Sequence, residues 1–410
     1  MEYIVFAIPV FFILILIEWV VDYRRKTNYC QLNDAITSLN IGVLSRINQV
    51  FRLLIPFTIY AFSLDYLALW QPDNSLIIWL MAFILYDFCY YWHHRFGHEI
   101  NLLWAAHVVH HSSEEYNLTT ALRQTSGSFL GFVFYLPLAV LGVPLEIFIA
   151  VASLNLLYQF WVHTRHINNL GWYEMIFVTP SNHRVHHAIN QVYIDKNYGG
   201  VFILWDRLFG TFQAELENEP CLYGVRKPLA SWNPVWANLQ VYRQLFLDAW
   251  HAQRLRDKLL IWFKPTGWRP QDVAERFPLA KFDPQTFSKY QTQISGKVSS
   301  YIIVQQLLLL LATFSYLFYL PEMTILQQVL MGSCIILTTL CFGYLLANEA
   351  LLVKLELARF SVVVCLLAIS FALSVTMFVG ILVASVAFLL FAYWALPKSK
   401  VENTQITGSV

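Results

Sequence analysis

Charged side chains are scarce in this chain: aspartate, glutamate, lysine and arginine make up 13% of its 410 residues, against about 25% in an average soluble domain. The hydrophobic share is 57%, and the mean hydropathy is +0.50. The formal net charge is +1, so the chain has neither a basic field for nucleic acid nor an acidic tail. These deficits exclude an ordinary soluble domain and predict an integral membrane protein.

Cysteines and cofactor motifs are scarce as well. The six cysteines are scattered without a CxxC pair, which excludes a disulfide framework and a thiolate metal site. The chain contains no HPGG haem-binding motif and no GxGxxG motif that opens a βαβ unit. An enzyme built on this chain would therefore take its electrons from a separate small molecule or protein.

Long apolar runs are present instead, and about 20 apolar residues cross a bilayer as a helix. They predict spans at 3–22, 51–70, 75–92, 300–320, 324–347, 357–378 and 379–396, with a helical hairpin at 129–162. The first run lacks a basic start and a small-residue cleavage site, so we interpret it as a retained helix. The predicted fold is an all-α, polytopic integral membrane protein.

Basic residues next to a span mark its cytoplasmic end. Arg24, Arg25 and Lys26 follow the first run, and Lys398 and Lys400 follow the last. Counting crossings between these marks puts the N-terminus outside and every histidine cluster at the cytoplasmic membrane face. The expected location is the endoplasmic reticulum in a eukaryote or the inner membrane in a bacterium.

The pattern divides the chain into five segments. They are N-terminal spans in 1–75, a histidine-rich core in 76–215, a cytoplasmic amphipathic segment in 216–298, a four-span region in 299–397 and a disordered tail in 398–410. Apolar residues at helical spacing near 235–263 predict an amphipathic helix that lies on the membrane, caps the site or packs on the protein's own core. The charged residues from Glu349 to Arg359 predict a short cytoplasmic loop.

Histidines are concentrated: eleven of the twelve lie between His93 and His187. Their HxxxH and HxxHH spacings put rings on one face of a helix. Imidazole nitrogens suit zinc or iron, whereas magnesium and calcium prefer oxygen. The set exceeds what one tetrahedral ion binds, so we predict a di-metal site. The predicted ligands are His94, His98, His107, His110, His111, His163, His183, His186 and His187.

The remaining histidines receive other interpretations. His93 points about 100° away from His94 on a helix and is left out of the site. His166 either joins His163 at the i+3 position or faces solvent, and the sequence does not choose. His251 is interpreted as a surface residue.

Two carboxylates near the first histidines are candidate catalytic residues. Asp87 and Glu99 could hold the second N–H of a ligand imidazole and so orient its ring. The alternative for both is a structural ion pair with Arg95 or Arg123.

The motifs HHRFGH, HVVHH and HRVHH resemble the three histidine boxes of the fatty acid hydroxylase/sterol desaturase superfamily of membrane di-iron oxygenases. Within it, the alkylglycerol monooxygenase family is similar over roughly residues 80–215, through RFGHEINLLWAAHVVHHSSEEYNLTTALRQ, QFWVHT, TPSNHRVHH, DKNYGG and WDRLFGTF. The resemblance implies that the same nine histidines bind two irons and that Glu99 matches a carboxylate important to the reaction. His166 departs from the family pattern.

The resemblance also implies an activity. A di-iron centre would activate O2 and hydroxylate the ether-linked carbon of an alkylglycerol in the bilayer, and the hemiacetal would fall apart to an aldehyde and glycerol. Tetrahydrobiopterin would supply the electrons, although the sequence does not choose between a pterin and a redox protein. The alternatives are a sterol desaturase or fatty acid hydroxylase and, from another class, a metal transporter with ligands at several membrane depths.

Overall fold

The computed structural model describes residues 2–371 except 53, 73–74, 127–129, 281 and 285, together with 379, 380 and 383. Within these residues the regular elements are helices, joined by isolated β-bridges, and the all-α prediction is confirmed. The α-helices are α1 Glu2–Arg25, α2 Leu32–Arg52, α3 Leu54–Leu67, α4 Leu76–Glu99, α5 Asn101–His111, α6 Leu118–Ala121, α7 Leu136–Val140, α8 Leu145–Trp161, α9 Pro180–His187, α10 Leu204–Phe209, α11 Pro234–His251, α12 Leu255–Leu260, α13 Gln271–Arg276, α14 Gly296–Tyr319, α15 Ile325–Ala347 and α16 Leu352–Phe371. Short 3-10 helices lie at Gly131–Tyr135, Gly171–Met175, Leu320–Glu322 and Glu349–Leu351.

The helices form two compact units, Met1–Gln291 and Thr292–Val410. All twelve histidines belong to the first unit. In this unit α4 packs against α5 and α8, and α11 packs against α5 and α2. In the second unit α15 packs against both α14 and α16.

Membrane-crossing helices are present in both units. Three helices of the described part of the chain are long and apolar enough to cross a membrane, namely Leu76–Glu99, Gly296–Glu322 and Ile325–Ala347. They confirm the spans predicted at 75–92, 300–320 and 324–347. The first predicted span, 3–22, lies within α1.

The span predicted at 51–70 has a different form. α3 is too short to cross alone, but it follows α2 after a bend of 51°, and the pair together fits one broken span or a re-entrant loop. The apolar-run criterion missed α2 because this helix buries polar residues such as Asp34, Ser38 and Asn40. The hydrophobic run is therefore the second half of a longer bent element.

The predicted hairpin at 129–162 is present in the described residues from 131 onward. Its arms, Gly131–Val140 and Leu145–Trp161, are shorter than a full crossing. At the turn between them Gly142 has a φ of +83°, and a Cβ atom there would lie 1.8 Å from the Trp70 carbonyl oxygen. Only glycine fits this close approach of two chain segments.

The second unit corrects the loop predicted from Glu349 to Arg359. Only Glu349 lies in a short turn, whereas Glu356 and Arg359 are buried inside α16, where they form an ion pair. The i, i+3 spacing neutralises both charges locally, so a helix can bury them. The end of the span predicted at 357–378, the span at 379–396 and the tail at 398–410 lie outside the described residues, apart from positions 379, 380 and 383.

The amphipathic helix predicted near 235–263 is divided, because α11 ends at His251 and α12 begins at Leu255. Ala237 and Leu245 face the protein and pack on residues of α2 and α5. Packing on the protein's own core therefore holds for this face of α11. The opposite face exposes Phe246 and Trp250.

A pair of glycine substitutions tests the hairpin turn. Gly142→Ala forces a Cβ atom against the Trp70 carbonyl, whereas Gly171 also has a positive φ, of +61°, but a Cβ atom there would meet nothing within 4 Å. We expect Gly171→Ala to cost about 1 kcal/mol from backbone strain and Gly142→Ala to cost several times as much. Thermal unfolding of the purified protein in detergent measures both, and equal losses would refute the close approach.

Candidate metal centre

The nine predicted ligands converge in the first unit as two groups of side chains. In each group the ring nitrogens lie within 4.8 Å of one another. The first group is His94, His98, His107, His111 and His186, and the second is His110, His163, His183 and His187. All are buried except His107, which is half-buried.

The two helices with an HxxHH motif, α5 and α9, each contribute to both groups. α5 contributes His107 and His111 to the first group and His110 to the second, while α9 contributes His186 to the first and His183 and His187 to the second. Neighbouring positions on a helix point about 100° apart, so an HxxHH motif serves two adjacent sites. α4 contributes both of its ligand histidines, His94 and His98, to the first group.

The spacing of the ring nitrogens is that of ligands around a common point. Nε2 of His107 lies 3.0 Å from Nε2 of His94 and 3.1 Å from Nε2 of His111. The corresponding Nε2 distances in the second group are 3.1, 3.2 and 3.3 Å. Nitrogens bound at about 2.1 Å to one ion lie about 3.0 Å apart at right angles and about 3.4 Å apart in a tetrahedron.

Backbone carbonyls determine which ring nitrogen carries the hydrogen. Because a carbonyl oxygen only accepts, an Nδ1 atom beside it must donate, which leaves the Nε2 lone pair free. These bonds join Nδ1 of His94 to the oxygen of Tyr198 (2.8 Å), His110 to Arg123 (3.1 Å), His163 to Gln159 (2.7 Å) and His186 to Lys196 (3.0 Å).

The contact between His110 and His163 fits a bound cation. Both rings donate from Nδ1, so their Nε2 atoms, 3.3 Å apart, face each other with no hydrogen between them. Burial lowers the pKa of His110 to about 4 and that of His163 well below its usual value, so both rings are neutral at pH 7. Two facing lone pairs repel, and a metal ion would relieve that repulsion. Among the described residues, Nε2 of His98 and of His186 are also buried without a hydrogen-bond partner, and this donor set fits a metal.

Asp87 lies beside the site, but it bonds to no histidine. Its two oxygens accept hydrogen bonds from the side chains of Asn155 and Trp205 and from the backbone of Val201 and Phe202, at 2.7 to 3.0 Å. The carboxylate therefore holds the loop that follows Tyr198, whose carbonyl orients His94. It acts on a ligand ring through the backbone, one step further away than the sequence predicted.

The same loop is fixed from its other side. Asp206 is buried and accepts from the backbone N–H groups of Tyr198 and Gly199 at 2.7 and 2.8 Å. A Cβ atom at Gly200 would lie 2.8 Å from Oδ1 of Asp87, so this position requires glycine. The DKNYGG motif is thus a tightly held turn that presents two carbonyls to the site, that of Tyr198 to His94 and that of Lys196 to His186.

Glu99 forms the structural ion pair that was the alternative prediction for this residue. Its carboxylate pairs with Arg95 at 2.8 Å on the half-exposed end of α4. The carboxylate nearest a ligand is instead Asp195, whose Oδ1 lies 3.9 Å from Nδ1 of His98. No spacing pattern in the sequence pointed to Asp195, which lies in a turn with a positive φ.

Arg123 forms a second support that the sequence did not reveal. It is fully buried and pairs with Asp34 at 3.2 Å, and it also donates to Ser38 and Ser112. Its carbonyl accepts from His110. Asp34 is nearly 60 residues before the first histidine, so no local motif could connect it to the site.

The other histidines lie outside both groups. His166 packs at a tilt of 40° against the ring of Tyr29, and its Nε2 lies 3.9 Å from Oδ1 of Asp22. His93 contacts the Tyr135 hydroxyl at 3.2 Å. His251 is exposed and bonds the carbonyl of Leu247.

Comparison with known proteins identifies the relatives of this chain. The family model of the fatty acid hydroxylases matches residues 79–211, a range that includes all nine converging histidines. A protein named alkylglycerol monooxygenase from Homo sapiens is 39% identical over 368 residues, 87% of this chain and 81% of the relative. The chain belongs to the alkylglycerol monooxygenase family of the fatty acid hydroxylases.

Another protein of the alkylglycerol monooxygenase family matches over nearly the whole chain. The protein of that name from Danio rerio is 35% identical and covers 97% of this chain and 90% of its own length. An ornithine lipid hydroxylase of Rhizobium tropici is 30% identical over 37% of this chain. No solved structure matches. Membership in this family makes the chain a membrane hydroxylase or monooxygenase that acts on lipids.

Replacement of Asp87 tests the loop that orients His94. Asp87→Asn keeps the shape but turns one acceptor oxygen into an amide donor that faces other donors, so we expect a loss of about 2–4 kcal/mol of stability. Glu99→Gln is the matched control, because its partly exposed pair contributes below about 1 kcal/mol. Thermal unfolding compares the stability of the two variants, and equal losses would contradict the role of Asp87 in holding the loop.

Proposed function

We propose that the chain is a di-iron monooxygenase that uses O2 to hydroxylate the ether-linked carbon of an alkylglycerol. The product is a hemiacetal, which then falls apart to an aldehyde and glycerol. The observation that carries this proposal is the pair of histidine groups, with inward Nε2 lone pairs that only a cation reconciles. The names of the family members that match over most of the chain support the substrate.

One iron would be held by the first group, with His94, His98, His107, His111 and His186, and the other by the second group, with His110, His163, His183 and His187. When bound, an iron pair supplies the activation of O2. Histidine suits iron as well as zinc, and the neutral rings need to lose no proton on binding.

The chain itself contributes orientation and exclusion of water. Four carbonyls hold ligand rings in the tautomer that points Nε2 inward. Burial of the groups keeps bulk water away from reactive species. We propose Asp87 as a positioning residue, and Glu99 stays our candidate catalytic carboxylate, because it follows His98 at the end of α4.

The site is proposed to face the cytoplasm, since Arg24 and Arg25 end α1 and the positive-inside rule then orients the spans that follow. A lipid in the bilayer would reach a site at the end of the α4 span without leaving the membrane. Electrons would come from an external donor, tetrahydrobiopterin or a redox protein, because the sequence carries no haem-binding or dinucleotide-binding motif.

A fatty acid hydroxylase or sterol desaturase is the second candidate. A fatty acid hydroxylase of Lecanicillium sp is 28% identical, but over only 38% of this chain. The similarity to such proteins is thus limited in extent, whereas the alkylglycerol monooxygenases also match beyond the core. This difference favours the alkylglycerol substrate.

Single histidine replacements test the two groups separately. We expect the purified protein to bind two irons per chain, and His110→Ala or His186→Ala to lower this to one or fewer, because each removes a ligand from a different group. His251→Ala, on an exposed position, should leave iron unchanged. Elemental analysis of folded protein provides the measurement, and full iron content in both site variants would overturn the assignment.

A turnover assay tests the substrate and the reductant. Reconstituted protein with an alkylglycerol, O2 and tetrahydrobiopterin should release a fatty aldehyde, and His186→Ala should release none. Product formation with a fatty acid or sterol but not with the alkylglycerol would replace the proposal by its alternative. Turnover with a redox protein and not with the pterin would correct only the electron donor.

A further inference from the structure

A stripe of large apolar side chains lies exposed on the first unit, on α11 and on the segment that follows it. We call it the apolar stripe: Leu239, Phe246, Trp250, Leu255, Leu259 and Phe263, each between 50% and 70% exposed. On α11 the positions recur at i, i+7 and i+11, and beyond it at i, i+4 and i+8, so each set shares one side of its segment. Exposed apolar groups of this size mark an interaction surface.

The other side of the same helix is already occupied. Ala237 packs with Val109 of α5, and Leu245 packs with Ala105 of α5 and with Ile261. The stripe is therefore the second apolar face of an element whose first face holds the histidine-bearing helix. It needs an occupant of its own.

The segment that carries the stripe is hydrogen-bonded to the end of a membrane-crossing helix. The backbone N–H groups of Asn101 and Leu102 donate to the carbonyls of Lys264 and Trp262 at 3.0 and 2.9 Å. The N–H of Thr266 donates to the carbonyl of Glu99, the last residue of α4. The stripe thus ends where the α4 span ends, at the level of the membrane surface.

Basic residues border the stripe. Arg243 lies on it between Leu239 and Phe246, and Arg254 and Arg256 flank Leu255, all of them exposed. The buried acid of this helix, Asp248, is neutralised by Arg269 at 2.7 Å. Apolar side chains bordered by arginine are typical of helices that lie in the boundary between lipid headgroups and acyl chains.

We propose that α11 and α12 are in-plane interfacial helices, whose apolar stripe is inserted into the headgroup boundary of the bilayer that α4 crosses. The arginines pair with anionic lipid phosphates, which attract basic residues near the membrane surface. The buried face of α11 then fixes α5 at a set depth. This inference does not depend on the substrate or the metal of the site.

Photocrosslinking in proteoliposomes tests the occupant. The full chain carries p-benzoylphenylalanine in place of Phe246 or Trp250, and the matched control carries it at Gln253, an exposed position between α11 and α12. After irradiation in phosphatidylcholine with added phosphatidylglycerol, mass spectrometry should find phospholipid adducts several times more often at 246 and 250 than at 253. Adducts to another protein segment or copy, or equal lipid labelling at 253, would overturn the proposal.

The charge component has a test in the same system. With the crosslinker at 246, Arg254→Gln combined with Arg256→Gln should lower the lipid adduct yield in vesicles that contain phosphatidylglycerol. The yield in phosphatidylcholine alone should stay the same. An unchanged yield in the anionic vesicles would overturn the phosphate contacts. Iron content and gel-filtration profile confirm that each variant is folded.

Discussion

The arrangement of the site depends on the repulsion between the Nε2 lone pairs of buried histidine rings that face one another. Imidazole rings that donate from Nδ1 to backbone carbonyls have no hydrogen to place on Nε2, and burial prevents them from acquiring one at neutral pH. Such rings cannot stabilise each other in an apolar interior. The packed helices hold them within hydrogen-bond distance, and a bound cation would turn this repulsion into binding. The membrane fold is thus the frame that keeps the donors together.

The frame is itself held by buried carboxylates that never reach the rings. Asp87, Asp206 and Asp34 each accept several hydrogen bonds and each fix a piece of backbone or a side chain next to a ligand. A buried charge is tolerated only when its hydrogen-bonding capacity is used, so each position is specific for aspartate. The carbonyls of Tyr198 and Arg123 then carry this order to His94 and His110. The buried aspartates therefore orient the histidine rings indirectly, through backbone carbonyls.

Eight of the nine converging histidines could be predicted from the sequence because HxxxH and HxxHH report helix faces directly. His163 could be predicted because it follows an apolar helix, and straight apolar runs such as that of α4 report membrane helices. The distribution of rings between two groups could not, since it divides the motifs of α5 and α9 according to a three-dimensional arrangement of four segments. The bent α2–α3 element and the buried Glu356–Arg359 pair were missed because burial of polar residues in partnered form leaves no apolar run to detect. Asp34 was missed because its partner, Arg123, is distant in sequence.

α5 and α9 each contribute to both groups, and this sharing has a mechanical consequence. A rotation or a shift of either helix moves rings in the two groups together, so neither α5 nor α9 can be repositioned for one group alone. These two helices therefore connect the geometry of the two groups. An insertion of one residue inside either HxxHH motif would disorder both at once, whereas a change in the last turn of α4 would act on one group first.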